Sequence, residues 1–280
     1  MNRPAAGKLW IVATPIGNLD DISVRAREVL CAVDLIAAED TRHSAALLRH
    51  IGSTVRTFAL HEHNERAASD QLVERMREGA QIALISDAGT PLISDPGFRL
   101  VRAAREAGVV VSPVPGACAV IAALSVAGLP SDRFVFEGFL PAKSAARRAH
   151  LETVRAETRT LIFYESSHRI DETLNDALAV FGGERRAALA RELTKLFETV
   201  LDGTLAELAA RVAADADQRR GEFVLLVAGA AEDVDAARLL EGQRVFDLLR
   251  RELPPSRAAK VAAEITGAPR KALYEGAKGS

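Results

Sequence analysis

The sequence predicts an α/β protein: a mostly parallel N-terminal sheet, a mixed C-terminal sheet and a small helical appendage. Three observations carry that expectation. Short apolar runs alternate with helical patterns up to Val114, as in successive βα units. Beyond Pro115, strand-like runs follow one another with fewer helices between them. From residue 238 onward only helical patterns remain, broken at Pro254-Pro255-Ser256 and Gly267-Ala268-Pro269. The expected division is 1–114, 115–231 and 238–280.

Lys8 to Ala13 reads as a first buried strand, left by the loop Thr14-Pro15-Ile16-Gly17-Asn18. Ser23 caps a helix through Leu30. Asp34 to Ala38 is a second strand, ending in Glu39-Asp40-Thr41-Arg42-His43, and a helix follows over Ser44 to His50. Val55 to Leu60 is strand-like and runs into His61-Glu62-His63-Asn64, after which a helix spans Glu65 to Glu78 with Gly79 as its stop. Ile82 to Ile85 is a continuous apolar run, as in a strand buried on both faces. The loop behind it, Ser86 to Gly97, is rich in Gly, Pro, Ser, Thr and Asp. Phe98, Leu100, Val101 and Arg105 then take helical spacing, with Ser94 or Asp95 placed as cap. Val109 to Val114 is a fifth strand, and Pro113 to Ala117 reads as a hinge into a small-residue helix ending at Ala127. Phe134–Phe139, Thr160–Tyr164, Ala187–Arg191, Phe197–Asp202 and Phe223–Ala228 read as strands, with the third and fourth forming a hairpin-like pair. In the tail, Ser256 caps the second helix and Pro269 opens the third, a pattern of helix-turn-helix type.

Composition narrows the function. No apolar run is long enough to span a membrane, and Met1 to Lys8 lacks the apolar stretch of a secretory signal. Cys31 and Cys118 stand far apart, which suits a reducing cytoplasm. The net charge of −2 is uneven: Arg244 to Ser280 holds eight Lys/Arg against four Asp/Glu, and a basic tail points to a polyanionic partner. No strand is followed by Gly-x-Gly-x-x-Gly, and no Gly-x-x-x-x-Gly-Lys-Ser/Thr is present, which argues against Rossmann dinucleotide and P-loop chemistry. His61 and His63 on a strand or loop point to opposite faces, and no further ligands complete a metal set.

The loops Thr14–Asn18, Glu39–Arg42, Ser86–Gly97, Pro115–Ala119 and Phe163–Ser167 are all expected at strand C-terminal ends, where open α/β sheets hold ligands. They offer backbone groups and small side chains, with no phosphate-binding lysine, and suit a neutral-to-zwitterionic nucleoside ligand. For Glu39, Asp40 and Arg42 the competing account is a helix cap with a local ion pair.

Seven segments resemble one known family: Ala13–Asn18, Ala38–Arg42, His61–Glu65, Ser86–Pro91, Ser94–Gly97, Phe163–Arg169 and Arg191–Lys195. The chain is similar, over almost its whole length, to the bacterial small-subunit ribosomal RNA 2′-O-ribose methyltransferases within the tetrapyrrole-methylase superfamily. That resemblance implies a two-domain tetrapyrrole-methylase-like fold, S-adenosylmethionine as methyl donor, a homodimer and a cytoplasmic location. Its implied target is the 2′-hydroxyl of a cytidine in the decoding centre of 16S rRNA. The cofactor positions it implies are Ile16, Gly17, Asp87, Ala88, Gly89, Thr90, Ile93, Cys118, Ala119, Glu165 and Leu193. Two depart from the pattern: Thr90 stands where relatives carry an acid, and Cys118 where they carry a hydroxyl.

A ribose hydroxyl is a weak nucleophile and needs a group that helps remove its proton. Asp40, Glu165 and Lys195 are the candidates, unranked by the sequence. Arg42, Arg147, Arg148 and Arg169, with Arg257, Lys260, Arg270 and Lys271 in the tail, are expected RNA-phosphate contacts. Two rivals are a related methylase acting on a tetrapyrrole or protein, and a non-catalytic ribosome-assembly factor that binds RNA.

Overall fold

Five strands form a wholly parallel sheet: β1 (Lys8–Val12), β2 (Leu35–Ala38), β3 (Thr57–Ala59), β4 (Gln81–Ile85) and β5 (Val110–Val114), in the order β3-β2-β4-β1-β5. The computed structural model describes residues 7–61, 63–231 and 234–276, so Glu62 and the extreme termini lie outside the described residues. Burial on both faces explains the apolar runs. Ile82 and Leu84 enter a core closed by α3 (Glu65–Arg77) and α4 (Phe98–Glu106). Ala83 and Ile85 enter one closed by α1 (Val24–Ala32) and α2 (Thr41–Ile51).

The second sheet comprises β6 (Phe134–Phe139), β7 (Thr160–Ser166), β8 (Arg186–Arg191), β9 (Thr199–Thr204) and β10 (Glu222–Val227), in the order β6-β7-β10-β8-β9. Only β6 and β7 run parallel; β10, last in the chain, inserts antiparallel between β7 and β8. The expected mixed sheet and the β8–β9 hairpin are both present. One face carries α5 (Ala119–Val126) through Val120, Ala123 and Leu124. The other carries α6 (Ser144–Thr153), α7 (Ile170–Phe181) and α8 (Leu205–Ala214) around Phe163, Leu174 and Leu208.

Residues up to Gly229 form one compact unit and those from Ala230 a second. The second holds α9 (Val234–Leu249), α10 (Pro255–Thr266) and α11 (Arg270–Gly276), packed on Phe246, Ala258, Ala259, Ala262 and Leu273.

Three helix starts differ from expectation. Asp40 caps α2, accepting from the backbone N–H of Arg42 (2.7 Å) and His43 (3.4 Å), so that helix begins at Thr41 rather than Ser44. Pro254 occupies the cap position of α10; Ser256 lies inside its first turn and accepts from Arg270 instead. Neither Ser94 nor Asp95 caps α4. Its cap residue is Gly97, at φ +127°, and the cap itself comes from α3: Glu65 Oε1 accepts from the N–H groups of Gly97 (3.0 Å) and Arg99 (2.9 Å). A long-range partner has taken the role that local sequence offered to Ser94 and Asp95, which leaves both side chains free for other work.

Removing that cap strands two N–H groups, one of them buried. Glu65→Ala is expected to lower unfolding free energy by about 1–3 kcal/mol, read from urea denaturation, with Glu65→Gln retaining most of it because an acceptor oxygen remains.

Candidate active site

At the C-terminal edge of the parallel sheet, three loops are locked together, two by paired backbone hydrogen bonds and the third by a side-chain hydroxyl. Thr14 and Gly89 exchange both hydrogen bonds, Thr14 N–H to Gly89 O at 2.8 Å and Gly89 N–H to Thr14 O at 3.1 Å. The buried Thr14 hydroxyl lies 3.3 Å from the same carbonyl. Gly89 sits at φ +79°, and a Cβ there would stand 3.2 Å from Ile16 Cγ2 and 3.7 Å from the Ala117 carbonyl. Only glycine meets both demands. Thr90 completes the junction by donating its hydroxyl to Ala117 O at 2.9 Å. The hydroxyl that stands where an acid was expected is thus spent holding the β4 loop to the loop before α5.

These loops wall a cavity of about 510 Å³ whose opposite wall is the second sheet. Ile16, Asp87, Ala88, Gly89, Thr90, Ile93, Cys118, Ala119, Glu165 and Leu193 all line it. Gly17 does not: its missing Cβ would collide with Lys195 Cγ (2.4 Å) and Leu193 O (3.0 Å), so this glycine admits the loop after β8. Glu39, Ser94, Asp95 and Tyr164 also line the cavity, within loops that the sequence placed at the ligand-holding edge, whereas Phe139, Phe223 and Val224 line it from segments that were not assigned there. Within the Ser86–Gly97 loop, the individual role the sequence offered Ser94 and Asp95 was that of a helix cap. Val224 and Tyr164 face each other because β10 pairs with β7, a long-range pairing with no local signal. Phe139 packs on Tyr164 at a ring distance of 5.4 Å.

The two loops that present Ile93 and Leu193 to the cavity are strained. Leu92 (φ +74°) and Ser94 (φ +70°) flank Ile93; Glu192 (φ +51°) and Thr194 (φ +67°) flank Leu193. Left-handed backbone costs about 1 kcal/mol or more at each non-glycine residue. Thr194 Oγ1 is in addition the one buried side-chain polar atom without a hydrogen-bond partner among the described residues. Strain and an orphaned hydroxyl gather at this rim.

The cavity is acidic. Burial, then the charges of Asp95 and Asp87, push the Glu39 carboxyl above its ordinary range. Burial raises Asp95 too, against a hydrogen bond from Ser86. Neither is ion-paired to a described side chain. Asp87 is partly engaged, accepting from the Asp40 N–H at 3.1 Å. Burial pushes the Tyr164 phenol up as well.

The three proposed proton-handling groups separate. Glu165 is buried in the cavity wall, but Arg169 Nη2 (2.6 Å), Thr173 Oγ1 (2.7 Å) and the Ser166 N–H (2.8 Å) occupy its oxygens. Lys195 lies off the cavity, its ammonium 2.8 Å from both Glu192 and Glu222. Asp40 is exposed and capping α2.

The expected phosphate contacts separate likewise. Arg147 is corrected: it is fully buried, held by Asp176 (2.7 Å) and Glu172 (3.0 Å), and no phosphate reaches it. Arg169 is turned inward onto Glu165 and the Leu140 carbonyl. Arg42 is exposed, and Arg148 is exposed while paired with Asp176. Arg257, Lys260, Arg270 and Lys271 stand exposed on the helical unit. His61 and His63 are exposed with rings 6.1 Å apart at 65°. Among the described residues no helix is long and apolar enough to cross a membrane, and no group of three or more His, Cys, Asp or Glu is placed to hold a metal.

A parallel sheet and a mixed sheet sharing one cavity define a protein of the tetrapyrrole-methylase class, and residues 8–209 match the family model described as Tetrapyrrole (Corrin/Porphyrin) Methylases. Solved structures agree in fold: diphthine synthase (TM-score 0.61, 15% identity) spans 79% of this chain and 90% of its own. Uroporphyrin-III-C-methyltransferase from Thermus thermophilus (TM-score 0.53, 20% identity) spans 79% and 94%. Residues 236–277 match the RsmI C-terminal HTH domain. The chain is 62% identical over 270 residues to Ribosomal RNA small subunit methyltransferase I of Xylella fastidiosa, covering 96% of this chain and 98% of that one. It is 59% identical to the Pseudomonas aeruginosa protein of the same name, covering 97% and 96%, and 56% identical to that of Escherichia coli O157:H7, covering 96% and 94%. The chain belongs to the ribosomal RNA small subunit methyltransferase I family.

Two expectations follow from these placements. In the unfolded chain Glu39 and Asp95 release their protons in the ordinary carboxyl range, near pH 4, and in the folded chain at higher pH. Their contribution to stability is therefore full below that range and is lost as pH rises through the raised folded values. Asp95→Asn should raise the urea midpoint at about pH 8 and leave it nearly unchanged at about pH 3.5, in paired denaturation curves. Arg147→Ala takes from the buried Asp176 carboxylate one of its two arginines and should cost about 1–3 kcal/mol in the same assay, with the salt dependence of RNA binding unaltered.

Proposed function

We propose that this chain is an S-adenosylmethionine-dependent methyltransferase that 2′-O-methylates the ribose of a cytidine in the decoding centre of 16S ribosomal RNA. The observation that carries this reading is the acidic, loop-walled cavity on a chain of this family. Glu39 and Asp95 line that cavity without a cationic partner among the described residues, and a ligand bearing ammonium and sulfonium charges supplies one. When bound, S-adenosylmethionine supplies a methyl group activated on a positive sulfur.

The residues proposed to hold it are Ile16, Asp87, Ala88, Gly89, Thr90, Ile93, Cys118, Ala119, Glu165 and Leu193. Ile16, Ile93 and Leu193 offer aliphatic surface, and the bare backbone around Gly89 allows close approach. Gly17 acts one step away, by seating the loop that carries Leu193. Orientation of the ribose oxygen is worth about 7–11 kcal/mol in well-positioned systems. Glu165 is a holding residue, because its oxygens are already taken. Glu39 and Asp95 remain as the cavity carboxylates that accept the hydroxyl proton, and their raised affinity for protons suits that task.

The division into 1–114, 115–231 and 238–280 assigns the cavity to the first two parts and RNA docking to the basic third. A homodimer accords with Leu196 (89% exposed) and Phe197 (65% exposed) beside the edge strand β9. The proposed location is the cytoplasm, where small subunits are assembled.

Labelled methyl transfer to small ribosomal subunits from cells lacking this protein tests the reading. The expected product, mapped by RNA mass spectrometry, is one 2′-O-methylated cytidine in the decoding region. Donor binding without RNA labelling would overturn the substrate; absence of donor binding would overturn the enzyme in favour of an RNA-binding assembly factor.

A further inference from the structure

The cavity is acidic, yet the proposed substrate is a polyanion. Glu39, Asp87 and Asp95 repel phosphate and admit an uncharged ribose, so the flanking phosphates and bases must be held outside, on the rim. The segment His61 to Glu65 shows where. Two of its residues have structural duties. Asn64 folds the turn, accepting from the His61 N–H (2.9 Å) and donating to Ala59 O (3.0 Å), and Glu65 caps α4. His61 and His63 have no such duty; both are exposed, their rings set edge to face.

Their position follows from strand register. Ala59 pairs with Ala38, and the Leu60 N–H donates to Ala38 O at 2.8 Å. The chain therefore leaves β3 at Leu60, one strand spacing, about 4.8 Å, from the point where β2 gives way to the cavity residue Glu39, and His61 follows directly. On the neighbouring element, Phe98 opens α4 directly behind the cavity loop and is 64% exposed, and the Glu65 cap ties that turn to the start of α3, two residues beyond His63. Arg42 and Arg66, in the first turns of α2 and α3, are exposed and form no ion pair with a described residue.

We propose that this rim, formed by the loops after β2 and β3 and the first turn of α4, docks the single-stranded RNA segment carrying the target ribose. Phe98, His61 and His63 are its base-stacking surfaces, and Arg42 and Arg66 hold its phosphates. Aromatic faces with interleaved cations are how unpaired RNA is held. The inference rests on the reading of the chain as an rRNA methyltransferase and adds the surface on which that substrate lies.

The test uses the full-length protein, small ribosomal subunits lacking the modification, and labelled S-adenosylmethionine. Phe98→Ala and the double variant His61→Ala/His63→Ala should each raise KM for the subunit about tenfold or more, with donor Kd from calorimetry within about twofold. Phe98→Tyr should restore KM, since a stacking face returns. Arg42→Ala/Arg66→Ala should flatten the salt dependence of KM by about one to two in log–log slope. An unchanged subunit KM in the stacking variants together with an unchanged salt slope overturns the proposal. So does a donor Kd that moves in step with KM, because the rim then serves the cavity rather than the RNA. If Phe98→Ala melts early, the arginine pair decides by its salt slope. Failure of the unaltered protein to label the subunit would instead strike the functional reading, which keeps the two failures distinct.

Discussion

The paired hydrogen bonds between Thr14 and Gly89 are the constraint on which the cavity depends. They join the loops leaving two adjacent parallel strands, β1 and β4, at the edge where backbone groups run out of strand partners. Each loop alone is a turn with unmet N–H and C=O groups; together they satisfy one another through an isolated antiparallel bridge beyond the parallel ladder. Gly89 makes this possible twice over, by adopting a left-handed conformation and by leaving room for Ile16 and Ala117. The third loop then fastens through the Thr90 hydroxyl. The wall facing the second sheet is thereby rigid, and small side chains suffice to shape it.

Around that rigid wall the molecule keeps costs that a purely structural cleft would have shed. Among the described residues, half-buried carboxyls stand without cations, four non-glycine residues take left-handed backbone, and a buried threonine hydroxyl goes unpartnered. Elsewhere the chain resolves such problems: Asp176 has both Arg147 and Arg148, and Glu165 has Arg169 and Thr173. The contrast separates the two uses of buried charge. Paired groups build the scaffold of the second sheet, and unpaired groups face the space a ligand fills.

Much of the fold was legible because local patterns and tertiary burial agreed. Continuous apolar runs such as Ile82–Ile85 announce strands covered on both faces, and Ser23 announces a helix start that its side chain does cap. Where local and long-range partners competed, the sequence misled. Ser94 and Asp95 are good caps in isolation, but Glu65 reaches α4 from a neighbouring helix and releases them to the cavity. Arg147 reads as a surface cation among polar neighbours, yet α7 brings Asp176 and Glu172 to it and buries it.

The sequence by itself determined the element order, the loops that gather at one sheet edge and the family, because each is written in contiguous residues. Only the tertiary structure decided which charges are spent on one another and which remain for a ligand. It also set β10 between β7 and β8, so that Val224 meets Tyr164 across the cavity wall. The physical reason is distance along the chain. A pairing between residues many tens of positions apart leaves no periodicity or spacing to read, and its energy exists only once both partners have been carried out of water.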